Sequence, residues 1–385
     1  MCAVPWFSIA LLPGTAAEKI LKVRLSYVDG LRALAVLGVV AWHAATSTMD
    51  FHNNLLLRVL GEGGHGVDLF FVISGFCLSY PTLAKMSAGS SFSFDCIAYL
   101  ARRAVRIFPP FWLSFVVMYA LVKIFLLSGY QVPWSAVSVP VSLTDALSQL
   151  TMWKESGDFF IRVYWTLPLE FRWYLVFPPL LWLWARGSKF AFGTLLVAFA
   201  VAYRAVPAVH FMEVAVLPCF MLGIVAAWIS IRMRPSALVA LVFMAIAVSV
   251  AVWLEPKGHL NFARPDQIWW HVACFSLVVA GGAVPWMHTV LSTRPMVAIG
   301  VASYSIYLIH APFTMLYGLY GGSNLLLAII VGVLPGFLFW RYCERPFVDG
   351  PLRATLIAHT EGWARRIFTP LTSKERPSPA PDQAA

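Results

Sequence analysis

Apolar residues run along this chain in stretches of about 15 to 25, separated by short polar segments and without the strict alternation of a half-buried strand. The stretches begin near Asp29, Val67, Phe108, Tyr164, Phe190, Met212, Ala237, Ile268, Met296 and Asn324. Lipid cannot hydrogen-bond a bare backbone, so spanning segments are helices or a closed barrel, and runs of this length select the helix. The pattern predicts an all-α, polytopic membrane bundle of about ten transmembrane helices. Residues 4–12 are apolar but too short to span and lack a basic region before them, so residues 1–25 are read as a cytoplasmic lead-in. The transmembrane domain is expected over 26–348. Residues 349–385 form a cytoplasmic tail whose end, rich in Pro, Ser, Ala and charge after Pro370, is expected to be disordered.

Composition agrees with lipid as the main solvent: hydrophobic residues make up 60% of the 385 and charged residues 12%, with a mean hydropathy of +0.75, far from a soluble domain. The formal charge of +10 does not point to nucleic acid, because the basic residues sit between spans and in the tail rather than along one soluble face. Threading ten spans from an inside N-terminus places Lys19, Lys22, Arg24, Lys85, Arg102, Arg103, Arg106, Arg186, Lys189, Arg232, Arg234 and Arg294 inside, against Arg58, Lys154, Arg162, Arg204, Lys257 and Arg264 outside. The positive-inside rule therefore predicts that both termini are cytoplasmic. The loop of about 128–163 carries Trp134, Trp153, Phe159 and Phe160, which suits an interfacial or cavity-capping segment. Six scattered cysteines lack metal or redox spacing and read as small hydrophobic residues, so no metal is expected.

An ionisable group inside a span costs roughly 2.5–3.5 kcal/mol on insertion scales, so those retained are candidates for function. On the first span Arg32 and His43, eleven positions apart, share a face at a separation of about 16 Å. Arg32 then lies in the inner leaflet and His43 in the outer one; the bland alternative is a histidine that fills a packing defect. The second span opens GVDLFFVISGF after a run of glycines, with Asp68 either a helix-start carboxylate or the partner of a nearby histidine. Ser74 and Gly75 are small enough for a helix or an acyl chain to approach the backbone.

YLARRAVRIFPP places Arg102, Arg103 and Arg106 together at the cytoplasmic surface, either as an ordinary topological anchor or as a site for phosphates, which the planar guanidinium bonds bidentately. In YWTLPLEFRWYL, Glu170 lies near the outer end of the fourth span at a depth like that of His43. Pro168 is expected to open the backbone beside it. An interhelical ion pair of Glu170, with Arg32 for example, is the structural alternative. SYSIYLIHAPF sets Ser303, Tyr307 and His310 on one face at i, i+4 and i+7. His271 has no polar companion at helical spacing and is read as structural.

Together these segments resemble the acyltransferase 3 family of membrane proteins, which includes bacterial O-antigen, exopolysaccharide, Nod-factor and antibiotic O-acyltransferases. The likeness runs through YVDGLRALAVLGVVAWH (27–43), GVDLFFVISGF (66–76), RRAVRIFPP (102–110), WTLPLEFRWY (165–174), SYSIYLIHAP (303–312) and RYCERPF (341–347), in the family's order. The resemblance implies a helix bundle that uses cytoplasmic acyl-CoA, with acetyl-CoA the expected donor. Arg32 and His43 match the family's essential first-helix pair. Arg103 and Arg106 match its cofactor-phosphate RxxR, and Glu170 its Trp-Ser/Thr-Leu-x-x-Glu position, here led by Trp165. Phe171 stands where many relatives carry a second acidic residue. The tail is too short for the esterase-like domain of some relatives, so transfer is expected to finish in the bundle or with a separate extracytoplasmic partner.

The expected function is transfer of an acyl group from acyl-CoA to a hydroxyl of a carbohydrate or glycolipid-type acceptor in a bacterial inner membrane. Arg102, Arg103 and Arg106 hold the cofactor, His43 acts as general base, Glu170 or Asp68 supports the imidazolium, and Arg32 completes the catalytic set. Ser74, Trp165, Ser303, Tyr307 and His310 are expected to line the substrate path. The alternative class is a transporter or flippase for a lipid-linked sugar, with the same polar residues forming a path without chemistry.

Overall fold

The structure is a computed structural model that describes residues 25–48, 60–133, 135–139, 142–154, 158–205, 212–254 and 267–368. Among the described residues it is helical, with no strand beyond an isolated bridge between Val137 and Ile161. The elements are α1 (Ser26–Thr48), α2 (Gly66–Ser87), α3 (Cys96–Leu127), α4 (Leu143–Leu150), α5 (Thr166–Ala185), α6 (Lys189–Ala205), α7 (Met212–Trp228) and α8 (Ala237–Leu254). They continue with α9 (Gln267–Ala283), α10 (Pro285–Leu291), α11 (Arg294–Val301), α12 (Ser303–Leu319), α13 (Leu325–Phe339), α14 (Arg345–Val348) and α15 (Pro351–Phe368).

Among the described residues, four helical segments are long and apolar enough to cross a membrane: Ser26–Thr48, Glu62–Ser87, Cys96–Leu127 and Leu325–Val348. The number rises to six when two bent pairs are each taken as one span: Ile268–Ala283 with Pro285–Leu291, bent by 96°, and Arg294–Val301 with Ser303–Leu319, bent by 75°. Lys189–Phe199, Leu217–Met233 and Ala237–Trp253 are apolar but shorter. Among the described residues, four to six segments thus have the length and composition of a span, where the sequence leads one to expect ten. Bends and short helices divide runs that are continuous in the sequence.

α1 runs through the middle of the bundle against α2, α11, α12 and α13. Leu31, Val36, Val39 and Val40 are fully or almost fully enclosed, as befits a helix with neighbours on several sides. The outer face of α3 is also apolar, with Trp112, Val116, Leu121, Ile124 and Leu127 exposed, and Leu326, Leu334 and Leu338 are exposed on α13. Hydrophobic residues both inside and outside are what a lipid-embedded bundle requires.

α2 and α7 cross closely. A Cβ at Gly75 would lie 2.3 Å from the Phe220 carbonyl oxygen, and one at Gly223 would lie 2.3 Å from that of Val72, so only glycine lets the two backbones approach this closely. α3 starts at Asp95, whose carboxylate accepts from Ala98 N–H at 3.0 Å, and it stops before Gly129, where φ is +78°.

One local expectation changes. α5 begins at Thr166, so Pro168 sits in its first turn, where a missing N–H opens no helical hydrogen bond. In the tail, Pro351–Phe368 is a helix lying against α3, tied by an ion pair from Arg365 to Asp95. In the 128–163 segment Phe159 and Phe160 are buried, and Gln149 accepts from Phe160 N–H at 2.7 Å, whereas Trp153 is exposed. Trp134 and the residues after Phe368 lie outside the described residues.

Candidate active site

A cavity of about 100 Å³ opens among α1, α2, α3, α5 and α12. Its wall includes Arg32, Ser74, Cys77, Arg103, Arg106, Thr166, Glu170, Tyr174, Ser303, Tyr304 and Tyr307. Seven candidates that lie far apart in the chain are thereby brought together: Arg32, Ser74, Arg103, Arg106, Glu170, Ser303 and Tyr307.

Arg32 Nη1 donates to Asp29 Oδ1 at 3.0 Å and Nη2 to Cys77 Sγ at 3.3 Å. Its carboxylate partner is therefore one helical turn away on α1 rather than Glu170. Glu170 instead accepts at Oε1 from Ser74 Oγ at 3.4 Å and from the Tyr174 hydroxyl. Tyr174 follows Glu170 by four positions, so that contact is readable from helical spacing.

Arg103 and Arg106 enter the cavity from α3. The Arg103 guanidinium lies 5.9 Å from the centre of the Tyr174 ring, and its Nε is buried without a hydrogen-bond partner among the described residues. Arg106 Nη1 faces Glu344 Oε1 at 3.6 Å. Glu344, fully buried, closes the last span, and its other oxygen accepts from Ser305 Oγ at 2.6 Å and Ser305 N–H at 3.2 Å. The 75° break before Ser303 creates a helix start inside the bundle, whose free N–H groups need acceptors, and Glu344 supplies one beside the positive end of α12. Glu344 belongs to the RYCERPF motif, where an acid near the end of an apolar span is the sequence signal for it.

Three guanidinium groups and the start of α12 thus surround one end of the cavity, an arrangement suited to phosphate oxygens. Arg102 is half-buried but does not line the cavity. Trp165 ends a short turn before α5, packed on the core beside the wall residue Thr166.

At the other end Tyr307 donates to the Val163 carbonyl at 3.0 Å and accepts from Thr166 Oγ1 at 2.9 Å. His310 follows, its ring centre 5.9 Å from that of Tyr307, and His310 Nε2 lies 3.2 Å from His43 Nδ1. His310 Nδ1 faces two carbonyl oxygens, of Tyr307 at 2.9 Å and Ile306 at 3.1 Å, so it must carry hydrogen and leave Nε2 as a lone pair. His43 Nδ1 faces the Val39 carbonyl at 2.9 Å and carries hydrogen for the same reason. The basic nitrogen of His43 is then Nε2.

His43 is buried in protein, 8% exposed, but is not part of the cavity wall. Among the described residues it bonds neither Glu170 nor Asp68; its side-chain partner is His310. Asp68 lies outside the cavity, accepting from His65 Nδ1 at 2.8 Å and facing His271 Nε2 at 3.6 Å. His271, without companions on its own helix, finds them on another.

A family model described as an acyltransferase domain matches residues 25–341. The O-acetyltransferase OatA of Staphylococcus aureus (strain NCTC 8325 / PS 47) is 23% identical over 361 residues, covering 83% of this chain and 56% of that protein. The acyltransferase MdmB of Streptomyces mycarofaciens is 26% identical over 325 residues, covering 75% of this chain and 78% of its own. The chain therefore spans about half the length of its OatA relatives. No solved structure matches it.

Proposed function

We propose, from the premise that this chain belongs to the acyltransferase 3 family, that it is a multi-pass O-acyltransferase of a bacterial cytoplasmic membrane that moves an acyl group, acetyl in the first instance, from acyl-CoA to a carbohydrate-type hydroxyl. The observation that carries this reading is the cavity itself: a cluster of guanidinium groups at one end and, behind Tyr307 at the other, a buried histidine pair. The name of OatA supports acetyl as the group moved.

Arg103 and Arg106 hold the coenzyme A phosphates, and Arg32 completes the positive end. The pantetheine arm fills the cavity past Ser74 and Glu170. To reach His43 the acyl end displaces the Tyr307 ring, which now closes the wall between them. The acceptor hydroxyl attacks the thioester carbon while His43 Nε2 takes its proton, and the C–S bond breaks to release CoA thiolate, which is then protonated. Burial behind Tyr307 keeps water from hydrolysing the thioester. His310 holds the His43 tautomer, the task an acidic residue performs in hydrolase triads. Ten spans with both termini cytoplasmic would present Arg103 and Arg106 to cytoplasmic acyl-CoA.

Purified protein should release CoA from acetyl-CoA only when an acceptor hydroxyl is supplied. Movement of a lipid-linked sugar without CoA release would replace this reading with a transporter. Burst kinetics without acceptor would indicate an acyl-imidazole on His43 in place of direct transfer.

A further inference from the structure

Outside the cavity, α2, α7 and α9 each contribute one metal-ligating side chain to a single buried point: Asp68, Cys219 and His271, respectively 3%, 0% and 4% exposed. Their ligand atoms all lie within 4.8 Å of one another. We propose that these three residues bind one zinc ion that braces α2, α7 and α9.

Four features point that way. Asp68 Oδ1 and His271 Nε2 are 3.6 Å apart, too far for a hydrogen bond. Neighbouring ligands on a tetrahedral zinc with bonds near 2.0 Å lie about 3.3 Å apart, so a small inward movement fits both to one ion. His271 Nδ1 has no hydrogen-bond partner among the described residues, so no bond there fixes the ring against a small movement of Nε2 toward an ion. The second carboxylate oxygen of Asp68 already has an outer support: His65 donates to it at 2.8 Å, and His65 is itself stacked on Trp270 with ring centres 4.3 Å apart and planes 13° off parallel. A ligating carboxylate steadied by a second residue is the usual construction of a metal site.

Charge closes the argument. A carboxylate, a thiolate and a neutral imidazole bring two negative charges, which a divalent ion cancels inside a bundle surrounded by lipid. One oxygen, one nitrogen and one sulfur suit zinc, whereas magnesium and calcium favour oxygen alone. The glycine crossing between α2 and α7 brings the ligands together, with Cys219 one turn before Gly223 and Asp68 one turn before Val72. The brace would steady α2, whose Ser74 lies on the cavity wall about 9 Å further along the helix.

The test is metal content and coordination of the full chain purified in detergent from zinc-replete cells, measured without reference to activity. About one zinc per chain is expected, with X-ray absorption showing one sulfur near 2.3 Å and lighter ligands near 2.0 Å. Cys219→Ser should lose the sulfur and most of the metal, while replacement of the exposed Cys96 by Ser should keep both. Cobalt exchanged into the wild-type protein should show a thiolate charge-transfer band. Wild-type protein with little zinc, or zinc without a sulfur neighbour, would overturn the site even if Cys219→Ser failed to fold. Full retention of zinc by a well-behaved Cys219→Ser would overturn it equally.

Discussion

The Nε2 atom of His310 lies 3.2 Å from Nδ1 of His43, joining α12 to α1 inside the bundle. Each ring also turns Nδ1 toward a carbonyl of its own helix, so the pair has one consistent hydrogen arrangement with His43 Nε2 as the base. His43→Ala should lower acyl transfer on the order of 10²- to 10⁴-fold while acyl-CoA binding persists. His310→Phe removes one hydrogen bond to the base and should cost about tenfold in kcat with KM unchanged. Near-normal turnover by His43→Ala would exclude the general-base role.

Arg103 and Arg106 carry the cofactor assignment. Replacing either with Ala should weaken acyl-CoA binding by roughly 10- to 150-fold, the equivalent of a charged hydrogen bond of about 1.5–3 kcal/mol. Calorimetric titration with CoA is the direct measurement, and unchanged affinity would remove the assignment. Arg102→Ala, off the cavity wall, should alter affinity far less.

Glu344 acts through other groups. Glu344→Ala would strip Arg106 of this counter-charge and Ser305 of its acceptor, at roughly 3–5 kcal/mol for a broken buried pair. Glu344→Gln keeps acceptors for Ser305 but removes the charge. It should therefore retain most thermal stability yet raise KM for acyl-CoA more than it lowers kcat; loss of stability with an unchanged KM would leave Glu344 a purely structural cap.

Tyr307 stands between the cavity and the histidines. Tyr307→Phe loses the contacts to Val163 and Thr166, worth about 0.5–1.5 kcal/mol each, and frees the ring to move. Acyl transfer should be maintained or accelerated, and hydrolysis of acyl-CoA without acceptor should rise. A block of transfer with CoA binding intact would instead make the hydroxyl itself necessary to the reaction.

The tail helix offers a pH test. Burial opposes ionisation of Asp95, but the Ala98 N–H and the Arg365 guanidinium outweigh it and hold the carboxyl below its usual value of 3.8. A lowered folded value means that the contact stabilises the docked helix above the unfolded-state pKa and is lost as pH falls through the folded one. Amide exchange in 351–368 should therefore be steady at neutral pH and quicken only in strong acid. Asp95→Asn should quicken it at neutral pH.

Much of this protein was legible in the residues alone. Apolar run lengths predict a helical membrane bundle because lipid permits little else, and helical spacing sets Ser303, Tyr307 and His310 on one face and Tyr174 beside Glu170. The sequence motifs identify Arg32, His43, Arg103, Arg106 and Glu170 as the polar residues to explain. Spacing along one helix, however, says nothing about how that helix is rotated against its neighbours or where it bends. Those choices depend on close contacts such as Gly75 with Phe220 and on the break before Ser303, which involve residues far apart in the chain. Only the tertiary structure could therefore pair His43 with His310 instead of a carboxylate, set Asp68 between His65 and His271, and bring Glu344 under Arg106: burial leaves each polar group the partners that packing brings within reach.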